Sequence, residues 1–286
     1  MLELAWVEGE IINLNQAKIA MQDHGYFFGY GVYEVIKLYD GKPFAMTEHF
    51  DRLERSMQEI RIKPDFNRND LRKIIYELIA KSGLKEAIVY LQVTRGVGPR
   101  THGILKDAKP VLTMFISEKQ PLPEKMRQEG VKTVILPDRR WAYPFIKSIN
   151  LLPNSLAKQI AEEQNAYEAI LAKENGYITE GASSNVFAVF DGTIVTHPTD
   201  GHILAGISRS YVLKIAEKYN YPLREDYFSA EQLYKADEVF LTSTTCEVLS
   251  VTNIDGKPVA NGIPGPVTCK LYDHFMEEVR KNILNI

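Results

Sequence analysis

Lys147 lies in a setting where a lysine side chain can act as a nucleophile. It belongs to Phe145-Ile146-Lys147-Ser148, directly after an apolar pair and before a segment with helical spacing. An apolar environment disfavours the charged ammonium, and a neutral amine can attack a carbonyl carbon to form a Schiff base. The alternative interpretation is a lysine at the solvated edge of a loop, where this residue type is usually found.

Glu180 is a second candidate for chemistry, because it follows a short β-rich run and precedes the small residues Gly181-Ala182-Ser183-Ser184. A carboxylate at a strand end beside small residues can face the ring of a ligand. There it can pair with a protonated pyridine nitrogen and so support an electron sink. The alternative is a turn residue whose carboxylate accepts hydrogen bonds from backbone amides.

Three features could bind a phosphate. Gly206-Ile207-Ser208-Arg209 opens a predicted helix, whose first N–H groups and positive dipole end favour anions. Thr242-Ser243-Thr244-Thr245 places hydroxyl donors at a strand end, and Arg52 can make a two-point contact from an early turn of another predicted helix. Taken singly, each has a structural alternative: a serine N-cap, a threonine-rich turn and a solvated arginine.

The short loop Pro99-Arg100-Thr101-His102 could bind a carboxylate, because arginine and histidine both donate hydrogen bonds to that group. Tyr33, on a predicted strand in the same half of the chain, is a further polar candidate. An exposed loop with two polar side chains is the alternative interpretation of residues 99–102.

The first half of the chain predicts strands and helices in alternation. Residues 32–38 are rich in β-branched and aromatic side chains and lead into the hairpin turn Asp40-Gly41. Thr47 is the expected N-cap of a helix with apolar residues at helical spacing. Asp70 is expected to begin a second helix that ends at Gly83. Strands are expected at 88–94 and 111–116.

Residues 119–124 are the predicted linker, because two prolines stiffen a segment that separates regions of regular periodicity. This predicts a smaller α+β domain over 1–118 and a larger one over 125–286. The larger domain would carry Lys147 in an irregular loop, 137–148. Two mixed α+β domains fit this order of elements.

Composition excludes several classes of function. The chain has 286 residues, 45% hydrophobic and 25% charged, which is close to the globular average and excludes disorder. Its 34 Lys and Arg and 37 Asp and Glu give a net charge of −3 without a basic run, which argues against nucleic-acid binding. The two cysteines, Cys246 and Cys269, form neither a disulfide framework nor a zinc pattern, so no metal is expected.

The sequence also favours a cytoplasmic location without a membrane partner. No apolar stretch approaches the roughly 18 residues of a membrane-spanning helix. The first residues, Met1-Leu2-Glu3-Leu4, include an acidic residue and lack the basic region of a signal peptide.

Taken together, the candidate segments resemble the class IV aminotransferases, pyridoxal-phosphate enzymes of fold type IV. The resemblance extends from residue 25 to the terminal helix, and its segments occur in the family's order: Gly31-Val32-Tyr33-Glu34-Val35, Glu48-His49-Phe50-Asp51-Arg52-Leu53, Ile146-Lys147-Ser148-Ile149-Asn150, Thr179-Glu180-Gly181-Ala182-Ser183-Ser184-Asn185, Gly206-Ile207-Ser208-Arg209 and Thr242-Ser243-Thr244-Thr245. Within the family, the chain is most similar to the bacterial D-amino-acid aminotransferases, also over Ala157-Lys158-Gln159 and Tyr167-Glu168-Ala169-Ile170-Leu171.

This resemblance implies pyridoxal 5'-phosphate as the cofactor and assigns roles to single residues. Lys147 would form the Schiff base with the cofactor and then move the proton at the substrate's α-carbon. Glu180 would keep the pyridine nitrogen protonated. The phosphate would be held by four residues: Arg52, Ile207, Ser208 and Thr244.

The resemblance also implies the substrates. In the D-amino-acid enzymes, the equivalents of Tyr33, Arg100 and His102 bind the substrate carboxylate, and the loop reaches in from the partner of a homodimer. The implied reaction converts D-alanine and 2-oxoglutarate to pyruvate and D-glutamate in two half-reactions. Tyr30 stands where a small acidic residue is typical, so we expect it to alter the rim of the pocket. Ser208 replaces a usual threonine and keeps the hydroxyl.

Three other functions remain open at this point. A branched-chain L-aminotransferase would have the same fold but binds the carboxylate on the opposite side and lacks the Arg-X-His pattern. An aminodeoxychorismate lyase would eliminate pyruvate instead of exchanging an amino group. A non-catalytic vitamin B6 carrier is the alternative outside enzymes, and it would have no need of Lys147 and Glu180.

Overall fold

The computed structural model describes residues 2–103, 105 and 108–284 and contains two compact units. The first unit comprises Met1–Pro121, Ile146–Asn150 and the chain from Asn282 onward. The second comprises Leu122–Phe145 and Leu151–Lys281. Each unit combines helices with a sheet of its own.

The two units differ from the predicted domains in one segment that matters for the chemistry. Ile146–Asn150 clusters with the first unit, whereas the sequence placed it in the larger domain, 125–286. The reason is a backbone contact with a strand: Ser148 forms a β-bridge with Val32, and the Tyr33 N–H donates to the Lys147 carbonyl at 3.0 Å. Lys147 therefore belongs to the first unit, as does the chain from Asn282 onward.

The first unit is built on a six-stranded antiparallel sheet in the order β2-β1-β6-β5-β3-β4. Its strands are β1 (Leu4–Val7), β2 (Glu10–Asn13), β3 (Gly31–Tyr39), β4 (Lys42–Pro43), β5 (Ala87–Thr94) and β6 (Val111–Glu118). Its helices are a 3-10 turn (Leu14–Gln16), α1 (His24–Phe28), α2 (Met46–Glu59) and α3 (Arg68–Ser82).

Alternation along these strands decides which face of the first sheet forms the core. On β3, the residues Val32, Ile36 and Leu38 are fully buried, and so are Val89 and Leu91 on β5. Tyr33 and Val35, one position out of phase, are only half-buried. Because successive side chains of a strand point to opposite faces, one face packs in the core and the other carries Tyr33.

Two helix starts differ from their predicted positions. The helix expected from Thr47 begins at Met46, and its N-cap is Ala45 in a left-handed conformation (φ 54°) without a side-chain cap. A contact distant in sequence holds this cap, since the Ala45 N–H donates to the Asn282 side chain at 3.3 Å. The helix expected from Asp70 begins at Arg68, because Asn67 is the N-cap and Asp70 completes a capping box.

The second unit is built on a nine-stranded mixed sheet in the order β12-β11-β10-β13-β14-β7-β8-β9, with β15 paired to β14. Its strands are β7 (Val131–Pro137), β8 (Glu168–Ala172), β9 (Ile178–Gly181), β10 (Asn185–Phe190), β11 (Thr193–Thr196), β12 (Leu223–Glu225), β13 (Glu238–Ser243), β14 (Glu247–Ile254) and β15 (Lys257–Pro258). Its helices are α4 (Glu124–Glu129), α5 (Leu152–Glu163), α6 (Ile207–Lys218), α7 (Ala230–Leu233) and α8 (Pro266–Leu284).

The pairing of strands in the second sheet brings several chain ends to one edge. β10 runs antiparallel to β13 with Asn185 opposite Thr242, so β10 begins where β13 ends. The short loop between β9 and β10 is closed by the Gly181 N–H, which donates to the Ser184 carbonyl at 2.6 Å. Glu180, Asn185 and the turn after β13 therefore lie at the same edge of this sheet.

No helix in the described part of the chain is long and apolar enough to cross a membrane. Among the same residues, no group of three or more His, Cys, Asp or Glu side chains is arranged to hold a metal ion.

Candidate active site

Lys147 makes three contacts within the first unit. Its Nζ lies 4.3 Å from the centroid of the Tyr33 ring, its N–H donates to Ser56 Oγ at 3.3 Å, and its carbonyl accepts from Tyr33. The residue is half-buried, after the buried Ile146. Lys147 is thus half-buried with its Nζ over an aromatic face, and its role in a Schiff base stays a prediction.

A glycine allows this segment to lie so close to β3. A Cβ built at Gly31 would come within 2.9 Å of both the Ile149 side chain and the Val93 carbonyl. The Ile149 N–H donates to the Gly31 carbonyl at 3.1 Å. A larger residue at position 31 would force a shift of the Val93 backbone in β5 or of the end of the Ile149 side chain.

A buried ionic cluster lies on the core side of β3. Arg52 Nε donates to Glu34 Oε1 at 2.7 Å and Arg52 Nη2 donates to Glu34 Oε2 at 2.8 Å, while His49 Nδ1 lies 2.7 Å from Oε2. Burial raises the pKa of Glu34, but Arg52 and His49 outweigh it and hold the pKa well below its ordinary value. Burial also lowers the pKa of His49, and Glu34 opposes this.

Arg52 was predicted to bind phosphate. The structure places it almost fully buried, with two of its nitrogens donating to Glu34. This geometry fixes the orientation of the guanidinium group. The phosphate-binding role stays a prediction.

Tyr33 belongs to a stack of aromatic rings on the half-exposed face of the first sheet. Its ring stacks on Tyr90 at 5.5 Å between centroids, and Tyr90 stacks on Phe115 at 4.9 Å. Burial, with a contribution from Tyr33, raises the pKa of Tyr90 above its ordinary value, so the ring stays neutral. The Tyr33 ring therefore contacts both the Tyr90 ring and the Nζ of Lys147.

Arg100 and His102, the predicted carboxylate-binding pair, come together on the ring of Phe28. The Arg100 guanidinium carbon lies 5.2 Å from the Phe28 centroid, and the His102 ring lies 5.1 Å from it. Both side chains are exposed. The buried His24 anchors the loop, with Nε2 3.0 Å from the Pro99 carbonyl oxygen. The structure thus gathers two of the three predicted residues.

The hydroxyl of Tyr30, the residue expected to alter the rim of the pocket, contacts the end of a helix. Its hydroxyl donates to the Ile60 carbonyl at 2.9 Å. Ile60 is the C-cap of α2, where the last carbonyl groups lack partners within the helix. The hydroxyl of Tyr30 therefore stabilises the end of the helix that carries His49 and Arg52.

In the second unit, Glu180 is buried and its carboxylate is fully engaged. Oε1 accepts from Arg140 Nη1, Oε2 accepts from Asn185 Nδ2 at 2.8 Å, and both oxygens accept from the Leu204 N–H at 3.1 Å. Burial raises the pKa of Glu180 to about 6, although Arg140 and Leu204 oppose this. The side chain is therefore mostly ionised at neutral pH. The carboxylate accepts from a backbone amide, as the structural alternative expected, and its role toward a cofactor ring stays a prediction.

Sequence reasoning missed Arg140 and Asp138. Arg140 Nε donates to Asp138 Oδ1 at 2.9 Å and Nη2 donates to Asp138 Oδ2 at 2.8 Å, so only Nη1 is directed to Glu180. Both follow β7 in a loop that shows no periodicity, and Glu180 lies 40 residues from Arg140 along the chain. The available signal was the pair of arginines, 139 and 140, directly after a strand of the second sheet.

The start of α6 is linked to the Glu180 carboxylate through Asn185. Asn185 Nδ2 donates to Glu180 and also to the Leu204 carbonyl at 2.9 Å. A Cβ built at Gly206 would overlap with Asn185 Oδ1, so only glycine fits there. Gly206 is the N-cap of α6 and provides no side-chain cap to the first amides of the helix, at Ile207 and Ser208.

A buried hydroxyl without a partner lies near the same edge of the sheet. Thr242 Oγ1 is buried and has no hydrogen-bond partner among the described residues. Thr244, two residues later, is half-buried in the turn after β13. Uncapped helix amides together with a free buried hydroxyl form a donor set that suits an anionic group such as phosphate.

The family follows from comparison with known proteins. The model of the amino-transferase class IV family matches residues 31–254. The chain is 42% identical over 271 residues to the D-alanine aminotransferase of Staphylococcus haemolyticus, covering 94% of this chain and 95% of that protein. It is 41% identical over 276 residues to the D-alanine aminotransferase of Listeria innocua, covering 96% and 95%. The chain therefore belongs to the class IV aminotransferases, and it is an aminotransferase that depends on pyridoxal phosphate.

Solved structures agree on the fold. The branched-chain aminotransferase of the archaeon Thermoproteus uzoniensis with norvaline has a TM-score of 0.88 and 26% identity, covering 96% of this chain and 94% of that one. The branched-chain enzyme of Escherichia coli has a TM-score of 0.87 and 28% identity, covering 98% and 95%. A fold IV transaminase of Curtobacterium pusillum, at 23% identity, has a TM-score of 0.82 and covers 96% and 99%. The predicted α+β fold of type IV is confirmed.

The residues present fit the cofactor on their own chemistry. A buried carboxylate that is mostly ionised at neutral pH suits a protonated ring nitrogen, and Glu180 provides it. The uncapped start of α6 and the free hydroxyl of Thr242 suit a phosphate. The cofactor prediction is confirmed by the family, and the roles of single residues are taken up below.

Proposed function

We propose that this chain transfers amino groups between D-amino acids and 2-oxoacids, converting D-alanine and 2-oxoglutarate to pyruvate and D-glutamate in a ping-pong cycle. The observation that carries the proposal is its 38–42% identity to D-alanine aminotransferases over at least 94% of this chain. The paired Arg100 and His102 side chains on Phe28 also support it, because they form a cationic site that suits a carboxylate.

In this proposal, Lys147 holds the cofactor covalently and later moves the proton. Its Nζ would take the proton from the α-carbon of the substrate and deliver it to the carbonyl carbon of the cofactor, as transfer of the amino group requires. The Tyr33 ring and the backbone contacts to Ser56 limit the positions that Nζ can reach. Pyridoxal phosphate, when bound, supplies the conjugated ring that accepts the electron pair released at the α-carbon.

The other cofactor contacts follow from charge. Glu180 keeps the ring nitrogen protonated, since its carboxylate is ionised at neutral pH. The phosphate is held by Arg52, by the backbone amides of Ile207 and Ser208 at the start of α6, and by Thr244. Helix amides and a guanidinium group both favour the dianion.

Substrate selection is proposed to depend on Tyr33, Arg100 and His102, which bind the α-carboxylate. Arg100 and His102 are exposed on their own loop, which is consistent with a role toward a second copy of the chain. We therefore propose a homodimer. Its support includes the apolar stripe of α5, where Leu152, Leu156 and Ile160 are 70%, 51% and 40% exposed. Light scattering on the purified protein should give twice the mass of one chain; a monomer at working concentration would contradict it.

A cytoplasmic location is also proposed. Both cysteines, Cys246 and Cys269, are free thiols, which suits a reducing compartment. Cell fractionation with a periplasmic and a cytoplasmic marker would test this.

A branched-chain L-aminotransferase is the second candidate, because branched-chain enzymes share the fold with TM-scores of 0.87 and 0.88. A half-reaction separates the two. Holoenzyme is mixed with D-alanine or with L-leucine in the absence of oxoacid, and conversion of the aldehyde to the amine form of the cofactor is followed by absorbance. D-alanine alone should convert it, and Lys147→Ala should convert with neither. Conversion by L-leucine alone would replace the proposal by the second candidate.

Arg100→Ala tests the substrate site within the same assay. Loss of a charged donor to the carboxylate should raise the apparent KM for D-alanine by roughly 10- to 100-fold, since a hydrogen bond to a charged group contributes about 1.5–3 kcal/mol. Arg224→Ala is the matched control, because Arg224 is an exposed arginine in β12 of the second unit. An unchanged KM in Arg100→Ala would mean that the loop does not contact substrate.

A further inference from the structure

The loop after β7 places a shared guanidinium group against the one carboxylate that the proposed function assigns to the cofactor ring. The Arg140 side chain is 5% exposed, Glu180 is 6% exposed and Asp138 is 9% exposed, so all three charges are withdrawn from water. The guanidinium group of Arg140 therefore forms ion pairs with both carboxylates in a poorly solvated site. Electrostatic interactions in such a site are stronger than at the surface.

The geometry distributes Arg140 unequally between its two partners. Nε and Nη2 both donate to Asp138, while Nη1 alone donates to Glu180. A two-point contact is the stronger kind of guanidinium–carboxylate pair. Asp138 therefore competes with Glu180 for the charge of Arg140.

Asp138 is itself held in place by contacts that do not involve Arg140. Its N–H donates to the Ala172 carbonyl at 2.7 Å, and Thr179 Oγ1 donates to its Oδ2 at 2.8 Å. Thr179 directly precedes Glu180 on β9. The same strand therefore positions Thr179, which holds Asp138, and Glu180, which accepts from Arg140. Arg140 also donates to the His202 carbonyl at 3.4 Å, in the loop that leads to α6.

We propose that Arg140, held by Asp138, is a positioning residue that orients the Glu180 carboxylate and sets the pH range over which it stays ionised to bind the cofactor. This inference rests on the proposed role of Glu180. It assigns opposite effects to two neighbours: Arg140 favours the ionised form of Glu180, and Asp138 disfavours it. Within the described residues, the charged groups that face Glu180 are Arg140 and Asp138, and its remaining partners, Asn185 and the Leu204 N–H, are neutral.

A merely structural ion pair would not predict effects of opposite sign. Removing Arg140 withdraws the cation, so Glu180 should protonate at higher pH. Removing the charge of Asp138 leaves Arg140 to Glu180 alone, so Glu180 should protonate at lower pH. Both substitutions would weaken a structural pair in the same direction.

The experiment measures the dissociation constant of pyridoxal phosphate from the protein between mildly acidic and mildly alkaline pH, by absorbance. The variants are Arg140→Met, Arg140→Lys and Asp138→Asn, with Arg139→Met as the control, because Arg139 is the exposed neighbour and carries the same charge. The titration of the cofactor's own groups is common to all variants. A difference in midpoint between a variant and the wild type therefore reports the titration of groups of the protein.

Arg140→Met should move the midpoint of the pH profile up by about one unit, which would leave Glu180 about half ionised at neutral pH and weaken binding there about twofold, with recovery in alkali. The midpoint of Arg140→Lys should lie close to that of the wild type, and the midpoint of Asp138→Asn should lie below it. The profile of Arg139→Met should match that of the wild type. Superimposable profiles, or shifts of the same sign in Arg140→Met and Asp138→Asn, would overturn the inference.

Two outcomes separate this inference from the proposed function. If the wild type fails to bind pyridoxal phosphate, both are wrong. If the wild type binds and converts D-alanine while the profiles coincide, only the role of Arg140 is wrong. Should Arg140→Met fail to fold, Asp138→Asn still decides: a downward shift of its midpoint supports the inference, and an upward shift overturns it.

Discussion

Two buried carboxylates, Glu34 in the first unit and Glu180 in the second, each accept from an arginine, yet their pKa values move in opposite directions. Arg52 gives Glu34 a two-point contact and His49 adds a third, so the pKa of Glu34 lies well below its ordinary value despite burial. Burial raises the pKa of Glu180 to about 6, because Arg140 gives it only one nitrogen.

The difference between these sites shows what an arginine does when it is shared. A carboxylate that is fully compensated stays charged under all ordinary conditions and serves to fix its partners. A carboxylate that is partly compensated stays close to its titration range and can respond to a ligand. The first arrangement suits the placement of Arg52, and the second suits a group whose charge takes part in cofactor binding.

The largest expected effect is on stability. Glu34→Gln should lower the free energy of unfolding by about 3–5 kcal/mol at neutral pH, because it removes one partner of a buried ion pair. Glu180→Gln should change it by only about 1 kcal/mol, since Arg140 keeps both contacts to Asp138 and the ionised form of Glu180 is itself disfavoured by burial. Urea denaturation of both variants checks this. Equal losses would remove the distinction between the two clusters.

A smaller effect is expected in the pH dependence. The folded pKa of Glu180 is raised from 4.5 to about 6, so its contribution to the free energy of unfolding is greatest below pH 4.5 and falls by about 2 kcal/mol as pH rises through 6. The contribution of Glu34 has the opposite sign: it is present above its unfolded pKa and is lost only as pH falls through its low folded pKa.

Denaturation of the wild type and Glu180→Gln at several pH values tests this second prediction. The difference in their free energies of unfolding should change by about 2 kcal/mol across this interval. A constant difference would mean that Glu180 does not titrate there.

The smallest effect concerns the helix that carries both partners of Glu34. Tyr30→Phe removes the hydroxyl that donates to Ile60 at the end of α2, and it should lower the free energy of unfolding by about 0.5–1.5 kcal/mol. The ratio kcat/KM for D-alanine should not change. An altered range of substrates in Tyr30→Phe would return this residue to the pocket rim and show that the hydroxyl does more than cap a helix.

The sequence predicted well those structural features, such as tight turns, that depend on a few neighbouring residues. The predicted turn at Asp40-Gly41 forms with its glycine at positive φ, and the pairs Asn175-Gly176, Asp191-Gly192 and Asp255-Gly256 have the same glycine conformation. Side-chain chemistry within four residues is enough to define such turns.

Features that depend on a partner far away along the chain could not be predicted from the sequence. Thr47 looked like an N-cap, but the α2 start depends on the Asn282 side chain, more than two hundred residues away. The sequence did not indicate Arg140, because its partner Glu180 is on another strand. The segment of Lys147 clusters with the first unit because of a backbone pairing with β3 that no local pattern indicates. The order of the motifs named candidate site residues, but it could not show which charged side chains contact them, as Arg140 contacts Glu180.

The five residues Ile146–Asn150 are a piece of the first unit that the chain makes only after entering the second. During synthesis, residues 1–121 emerge before this segment. The bridge between Val32 of β3 and Ser148 can form only later, and it closes a loop of more than one hundred residues. Loop closure over such a length slows assembly without greatly changing final stability. A fragment ending at Pro121 would therefore lack both the lysine and the segment that pairs with its sheet. Dividing this protein into two separately expressed halves would require position 147 to be supplied in trans.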